Sequence, residues 1–211
     1  MNATWNRVPP EQADMILTSV SDDDNAAVFP SELTEVTWRD LPFYSKYKHY
    51  RLTNYATLPC FIMEYLGSSD DNAFYPLTGL ANTIYDVNDA NPIKVTRDNV
   101  VEYLDFFFRQ VQGPDGDIYL IKDPDDLPML SSLPDNQKQS VVQHHQPITI
   151  DSDIRPGEFD VRGTLYYDGS LVSAKIQVNN TGKLSIHDQV LLLHGIHFPA
   201  SPVHNTYMGD S

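Results

Sequence analysis

Glu64 has the most unusual setting of any carboxylate in this sequence. It lies in the run Pro59-Cys60-Phe61-Ile62-Met63-Glu64-Tyr65-Leu66, and if residues 60–66 form a strand, Cys60, Ile62, Glu64 and Leu66 share one face. A carboxylate held among apolar neighbours is expected to have a raised pKa. Arg51, in the preceding tyrosine-rich segment, is the candidate partner. The pair reads either as a structural ion pair or edge-strand position, or as a ligand-orienting pair inside a pocket. Glu64 and Arg51 are thus the candidate binding residues, and no catalytic residue is singled out.

The other chemistry-bearing groups give less. His144 and His145 are adjacent and point to different sides of a helix or strand. His194 and His197 would share a face only in a helix, and Gly195 stands between them. Neither pair has a carboxylate at a zinc spacing, so no metal site is expected. Among the acidic clusters at 22–24, 70–71, 86–89 and 123–126, DVNDAN at 86–91 resembles the opening of a calcium loop. It has Ala90 at the third ligand position, no glycine at the sixth position and Arg97 where the bidentate Glu belongs. These clusters are expected to be solvated turns. The single cysteine, Cys60, excludes an intramolecular disulfide and has no neighbouring base, so a buried structural thiol is expected. No nucleophile elbow, P-loop or dinucleotide glycine fingerprint is present, and no cofactor is implied.

Charge narrows the partners. The 211 residues carry 14 Lys and Arg against 29 Asp and Glu, a formal net charge of -15. Nucleic-acid binding draws most of its non-specific affinity from basic contacts to phosphate, so DNA, RNA and anionic membrane surfaces are poor partners. No apolar run approaches the roughly 18 to 20 residues of a spanning helix. The start MNATWNRVPPEQADMIL lacks the pattern of a signal peptide, and the cytoplasm is the expected compartment. With 41% hydrophobic residues the chain can build a core.

The elements that must position Glu64 follow from pattern. Residues 1–30 are expected to be a peripheral arm, with a short helix starting at Pro9-Pro10 and ending in the loop Ser21 to Asn25. Residues 43–66 read as two antiparallel strands around Thr57-Leu58-Pro59. The clearest helix is predicted over 97–112, with Thr96 as N-cap and Gly113-Pro114 as the stop. Its Val100, Leu104, Phe107, Phe108 and Val111 recur on one face. A short strand at 118–121 and a helix over 134–144 come next. Residues 158–193 alternate as a three-stranded antiparallel meander, turned at Asp168-Gly169. The expected fold class is α+β: an antiparallel sheet, made of this C-terminal meander and an N-terminal hairpin, packed against one main amphipathic helix. A single domain over 31–200 and a flexible tail over 201–211 complete the expected organisation.

The segment FYPLTGLANTIYDVNDANPIKVTRDNVVEYLDFFFRQVQGPDG, residues 74–116, resembles a passage of an uncharacterised family of bacterial proteins. Shared features are a YPL-type strand, an N-x-x-x-P turn and a V-x-Y-L-x-F-F helix before a glycine turn. The resemblance implies a bacterial source and a common scaffold, and carries over no activity, cofactor or site residue.

One residue of the predicted helix stands apart. With Val100 at zero, Phe106 falls at about 240° on the wheel, on the polar side with Glu102, Arg109 and Gln110. It is expected either to meet a second layer of the same chain, such as the N-terminal arm, or to anchor another molecule. In the second case it marks the contact of a homodimer. Two functions remain: a non-catalytic binding or protein-interaction module, or a small-molecule-binding protein or enzyme with its pocket between the helix and a curved sheet.

Overall fold

A computed structural model of the chain describes residues 4–20, 28–128 and 130–196. Among these residues it is an α+β fold of four α-helices and two antiparallel sheets. The first sheet runs in chain order through β1 (Asn6–Arg7), β2 (Thr34–Asp40), β3 (Lys48–Asn54), β4 (Phe61–Ser68) and β5 (Ala73–Pro76). The hairpin of β3 and β4 turns through the segment holding Thr57-Leu58-Pro59, as its punctuation predicts.

In the second sheet β9 (Glu158–Tyr167), β10 (Ser170–Val178) and β11 (Leu184–His194) form the expected meander. Asp168 and Gly169 both take positive φ, 44° and 70°, which is the geometry a two-residue hairpin requires. The other edge of β9 is shared by β7 (Gly116–Ile121) and β8 (Thr149–Arg155), and a two-residue β6 (Gln112–Gly113) extends β7. Among the described strands β11 is the outer edge, and its irregular register with β10 breaks side-chain alternation. Val190 and Leu191 in succession remain 58% and 62% exposed.

Helices alternate with these sheets in layers. α1 (Pro10–Ser19) covers the outer face of the first sheet, where Ile16, Leu17 and Val20 pack with Val36, Tyr50, Leu52 and Tyr65. α2 (Ala81–Ala90) and α3 (Val100–Gln110) fill the space between the sheets, joining Leu66 on one side to Val161, Leu165 and Ile176 on the other. α4 (Asp135–His144) closes the far face of the second sheet through Val141, against Tyr166 and Leu171. No described helix is long and apolar enough to cross a membrane.

Several expectations are corrected by this packing. The described part of the N-terminal arm is not peripheral, because Val8, Ile16, Leu17, Val20 and Phe29 are buried and form much of a separate core with Val36, Tyr50, Leu52 and Tyr65. The helix begins at Val100 rather than 97, with Asn99 at the cap and its Oδ1 accepting from the Thr96 amide at 2.7 Å. Asp86 to Asp89 is not a solvated turn: it lies within α2, where Val87 and Asn88 are buried. Thr149–Arg155 and Thr34–Asp40 are further strands that the pattern did not announce. The loop expected at 21–25 and the tail expected at 201–211 lie outside the described residues.

Candidate functional site

Strand register assembles the site. Arg51 on β3 stands directly opposite Glu64 on β4, and His49, two residues along β3, stands opposite Arg39 on β2. Opposed residues of an antiparallel pair, and residues two apart along a strand, share a face. Arg39, His49, Arg51 and Glu64 therefore project from one side of the first sheet, the side turned toward α3. Their backbone neighbours Tyr50, Leu52 and Tyr65 face α1 instead.

Glu64 is the hub. Arg51 reaches Oε1 through Nε at 2.7 Å and through Nη2 at 2.6 Å. Oε2 accepts from Nε2 of His49 at 2.9 Å and from Nε2 of Gln110, on α3, at 2.6 Å. Arg39 then donates from Nε to Nδ1 of His49 at 3.0 Å. His49 is fully buried, the Glu64 side chain is 16% exposed and that of Arg51 is 37% exposed. Trp5 caps the group. The guanidinium carbons of Arg51 and Arg39 lie 4.3 and 4.8 Å from its ring centre, and the His49 ring lies 5.0 Å away. The edge of His49 meets Phe106 at 5.4 Å.

This corrects the expected chemistry of Glu64. Burial does push its pKa up, but the hydrogen bond and charge of His49 and the ion pair with Arg51 outweigh it, holding the carboxyl well below the usual range. It is ionised and not a general acid. Burial lowers the pKa of His49, against the pull of Glu64 and with the help of Arg39 and Arg51. Both of its ring nitrogens are engaged within the protein. Such an arrangement positions guanidinium groups; it does not present a base to a substrate.

Phe106 takes the first of its two expected settings, a contact within the same chain. It is 2% exposed, packed against Phe43 and His49, so it offers no surface to a second copy of the chain. The polar side of α3 meets a polar patch of the sheet: Gln110 touches Glu64, and Phe106 seals the imidazole. The layer covering Phe106 belongs to the same chain: His49 of β3 and Phe43 of the 41–47 segment lie against it.

The remaining candidates are dispersed. Nδ1 of His144 lies 2.7 Å from the Ser140 carbonyl, Nε2 of His145 lies 3.0 Å from that of Ile121, and His194 meets the Ser170 hydroxyl at 2.9 Å. His197 lies outside the described residues. Among the described residues no three His, Cys, Asp or Glu side chains converge as a metal requires. Cys60 is half-buried rather than buried. At 123–126 the aspartates cap their own turn, with Asp123 accepting from the Asp125 amide and Asp126 from the Asp123 amide. A surface cleft of about 350 Å³ lies between the end of α2 and the Asn180-Thr181 turn, and another of about 450 Å³ lies beside Leu127 and Lys138. Neither touches the Glu64 group, and the space between α3 and the sheets is filled by Tyr103, Leu104 and Phe106 to Phe108.

Reasoning from the sequence found the Arg51–Glu64 pair but missed His49, Arg39 and Trp5. The available signal was the spacing of His49 and Arg51 on one strand face. Comparison with protein-family models, with curated proteins and with solved structures returns no match.

Proposed function

We propose that this protein is a non-catalytic interaction module that takes an extended segment of a partner protein along β11. The observation that supports it is the edge itself. Among the described residues no further strand pairs with the outer side of β11 (Leu184–His194), and Val190 and Leu191 in succession are exposed to solvent. An edge strand offers unpaired N–H and C=O groups to an incoming strand, and exposed apolar side chains give it anchors. The net charge of -15 favours a partner segment with basic residues. The reading places the protein in the cytoplasm, where a single thiol stays reduced.

An enzyme built on Glu64 or His49 has less support, because every oxygen of the one and both nitrogens of the other are already engaged.

The test is a double variant, Val190→Lys with Leu191→Lys. Cross-linking in cells should capture a partner with the wild type and lose it with the variant, while the melting temperature stays unchanged. A dimer of the wild type in light scattering that the variant abolishes would replace the partner by a second copy. A variant that keeps every partner of the wild type overturns the reading.

A further inference from the structure

Among the described residues, Arg39 is a member of the Glu64 group whose terminal donors meet no hydrogen-bond partner. A guanidinium carries five N–H groups, and among the described residues the one side-chain hydrogen bond of Arg39 runs from Nε to His49. With Nε tied down, the two terminal nitrogens remain. They sit beside Trp5, which also covers Arg51.

The surrounding charge is unbalanced. Arg39 senses Glu64 and Asp105 as opposite charges and Arg51 and Arg109 as like charges. Both carboxylates already have cations of their own: Glu64 holds Arg51 at 2.6 Å, and Asp105 holds Arg109 and Lys122, each at 3.1 Å. Four cations thus meet two carboxylates, in a chain whose net charge is -15. Burial is costly to a guanidinium whose main counter-charge, Glu64, is already held by another arginine. An anion would supply it, and the terminal fork of an arginine matches the two oxygens of a carboxylate or phosphate group.

We infer that Arg39, which shares the Trp5 ring with Arg51, is the binding site for the oxyanion group of a small molecule. The terminal nitrogens of Arg39 take two of its oxygens, and the indole provides a flat wall for the organic part. His49 is a positioning residue here, since its hydrogen bond fixes which edge of the guanidinium stays open. Nucleic-acid phosphate is disfavoured by the overall negative charge. The site lies on the first sheet and is independent of β11.

The chain has two tryptophans, so Trp38→Phe leaves Trp5 as the only indole emitter. This variant is titrated with sodium phosphate and with sodium acetate up to about 10 mM, tenfold above a millimolar dissociation constant, against sodium chloride at matched ionic strength. Calorimetry on the wild type repeats each titration. A saturable change in Trp5 emission, with a rise in melting temperature that chloride does not give, is expected. Saturation by phosphate alone identifies a phosphate site, and by acetate alone a carboxylate site. Arg39→Gln should weaken binding about tenfold or more, and Arg39→Lys by less, since it keeps the charge but loses the fork. Should Arg39→Gln not fold, Arg109→Gln, whose side chain is 42% exposed, should still weaken binding several-fold. No saturation with either anion, a response equal to that of chloride, or an affinity unchanged in the folded arginine variants overturns the inference.

Discussion

Nε of Arg39 donates to Nδ1 of His49 across 3.0 Å. A guanidinium can only donate, so that ring nitrogen carries no proton, and the imidazole proton sits on Nε2, facing Glu64 at 2.9 Å. One contact on β2 therefore decides the tautomer of a histidine on β3 and the donor that Glu64 receives on β4. Protonating His49 would set two N–H groups against each other at the Arg39 contact.

Acid should therefore destabilise the fold in two steps. His49 in the folded chain titrates below its ordinary 6.5, so as the pH falls below about 6.5 the unfolded chain takes up a proton that the folded chain refuses. Stability declines from that point downward. Glu64, held below its ordinary 4.5, adds a second loss as the pH falls below about 4.5. Neither group contributes a slope above about pH 7.5. Denaturant midpoints at pH 8, 6, 5 and 4 measure this, and nitrogen NMR of the His49 ring should show Nδ1 bare and Nε2 protonated down to pH 6. A ring that titrates at its ordinary value would disprove the assignment.

Glu64→Ala should cost about 3 kcal/mol, since it strands the buried N–H of His49 and unpairs Arg51. Glu64→Gln should cost nearly as much. Whichever way the amide turns, its NH2 meets donors, those of Arg51 on one side and of His49 on the other. Urea unfolding of both variants tests the argument. A loss under about 1 kcal/mol for Gln would mean that the network tolerates a neutral hub.

Gly182 and Gly195 give a paired test of packing against backbone conformation. Both take positive φ, 78° and 86°. Among the described residues a Cβ on Gly195 meets nothing within 4 Å, whereas on Gly182 it would collide with the Tyr103 hydroxyl and lie 2.6 Å from Nδ2 of Asn88. Those groups form a buried network in which Tyr103 donates to the Gly182 carbonyl at 2.7 Å and Asn88 to Tyr103 at 3.2 Å. Gly195→Ala should cost about 1 kcal/mol, the conformational penalty alone. Gly182→Ala should cost about 3 kcal/mol or more, because the turn must move away from α2 and α3. Equal losses in the two variants would argue against the network.

What the sequence revealed follows from which forces were local. The meander was legible because the Asp168-Gly169 turn and the alternation on either side are short-range signals that agree. Arg51 and Glu64 were legible as a pair because one hairpin brings them together. α2 was not: Asn82, Thr83, Asp86, Asn88 and Asp89 are poor helix formers, and burial of Ile84, Val87 and Asn88 between the sheets overrides that preference. His49 was not, because its polar partners come from β2 and β4 and its apolar neighbours from α3 and the segment before β1. No spacing along the chain records that meeting.

Phe106 shows the same limit. Its angular position on the helix is as read from the sequence, but a wheel with one buried face presumes one covering layer. α3 has two, so the side carrying Phe106 and Gln110 faces the first sheet while the opposite side faces the second. Truncating a fully packed phenylalanine leaves a cavity, and Phe106→Ala should cost about 3–5 kcal/mol. Phe106→Leu keeps most of the volume and should cost about 1 kcal/mol. Phe106→Asp would bury a carboxylate against Phe43 and the His49 ring, beside Glu64, and should abolish the folded state. The contrast with an interface residue is sharp, since there the same change would release a folded monomer. Circular dichroism with light scattering on the three variants decides it: a folded, monomeric Phe106→Asp derived from a dimeric wild type would restore the interface and refute this packing of α3.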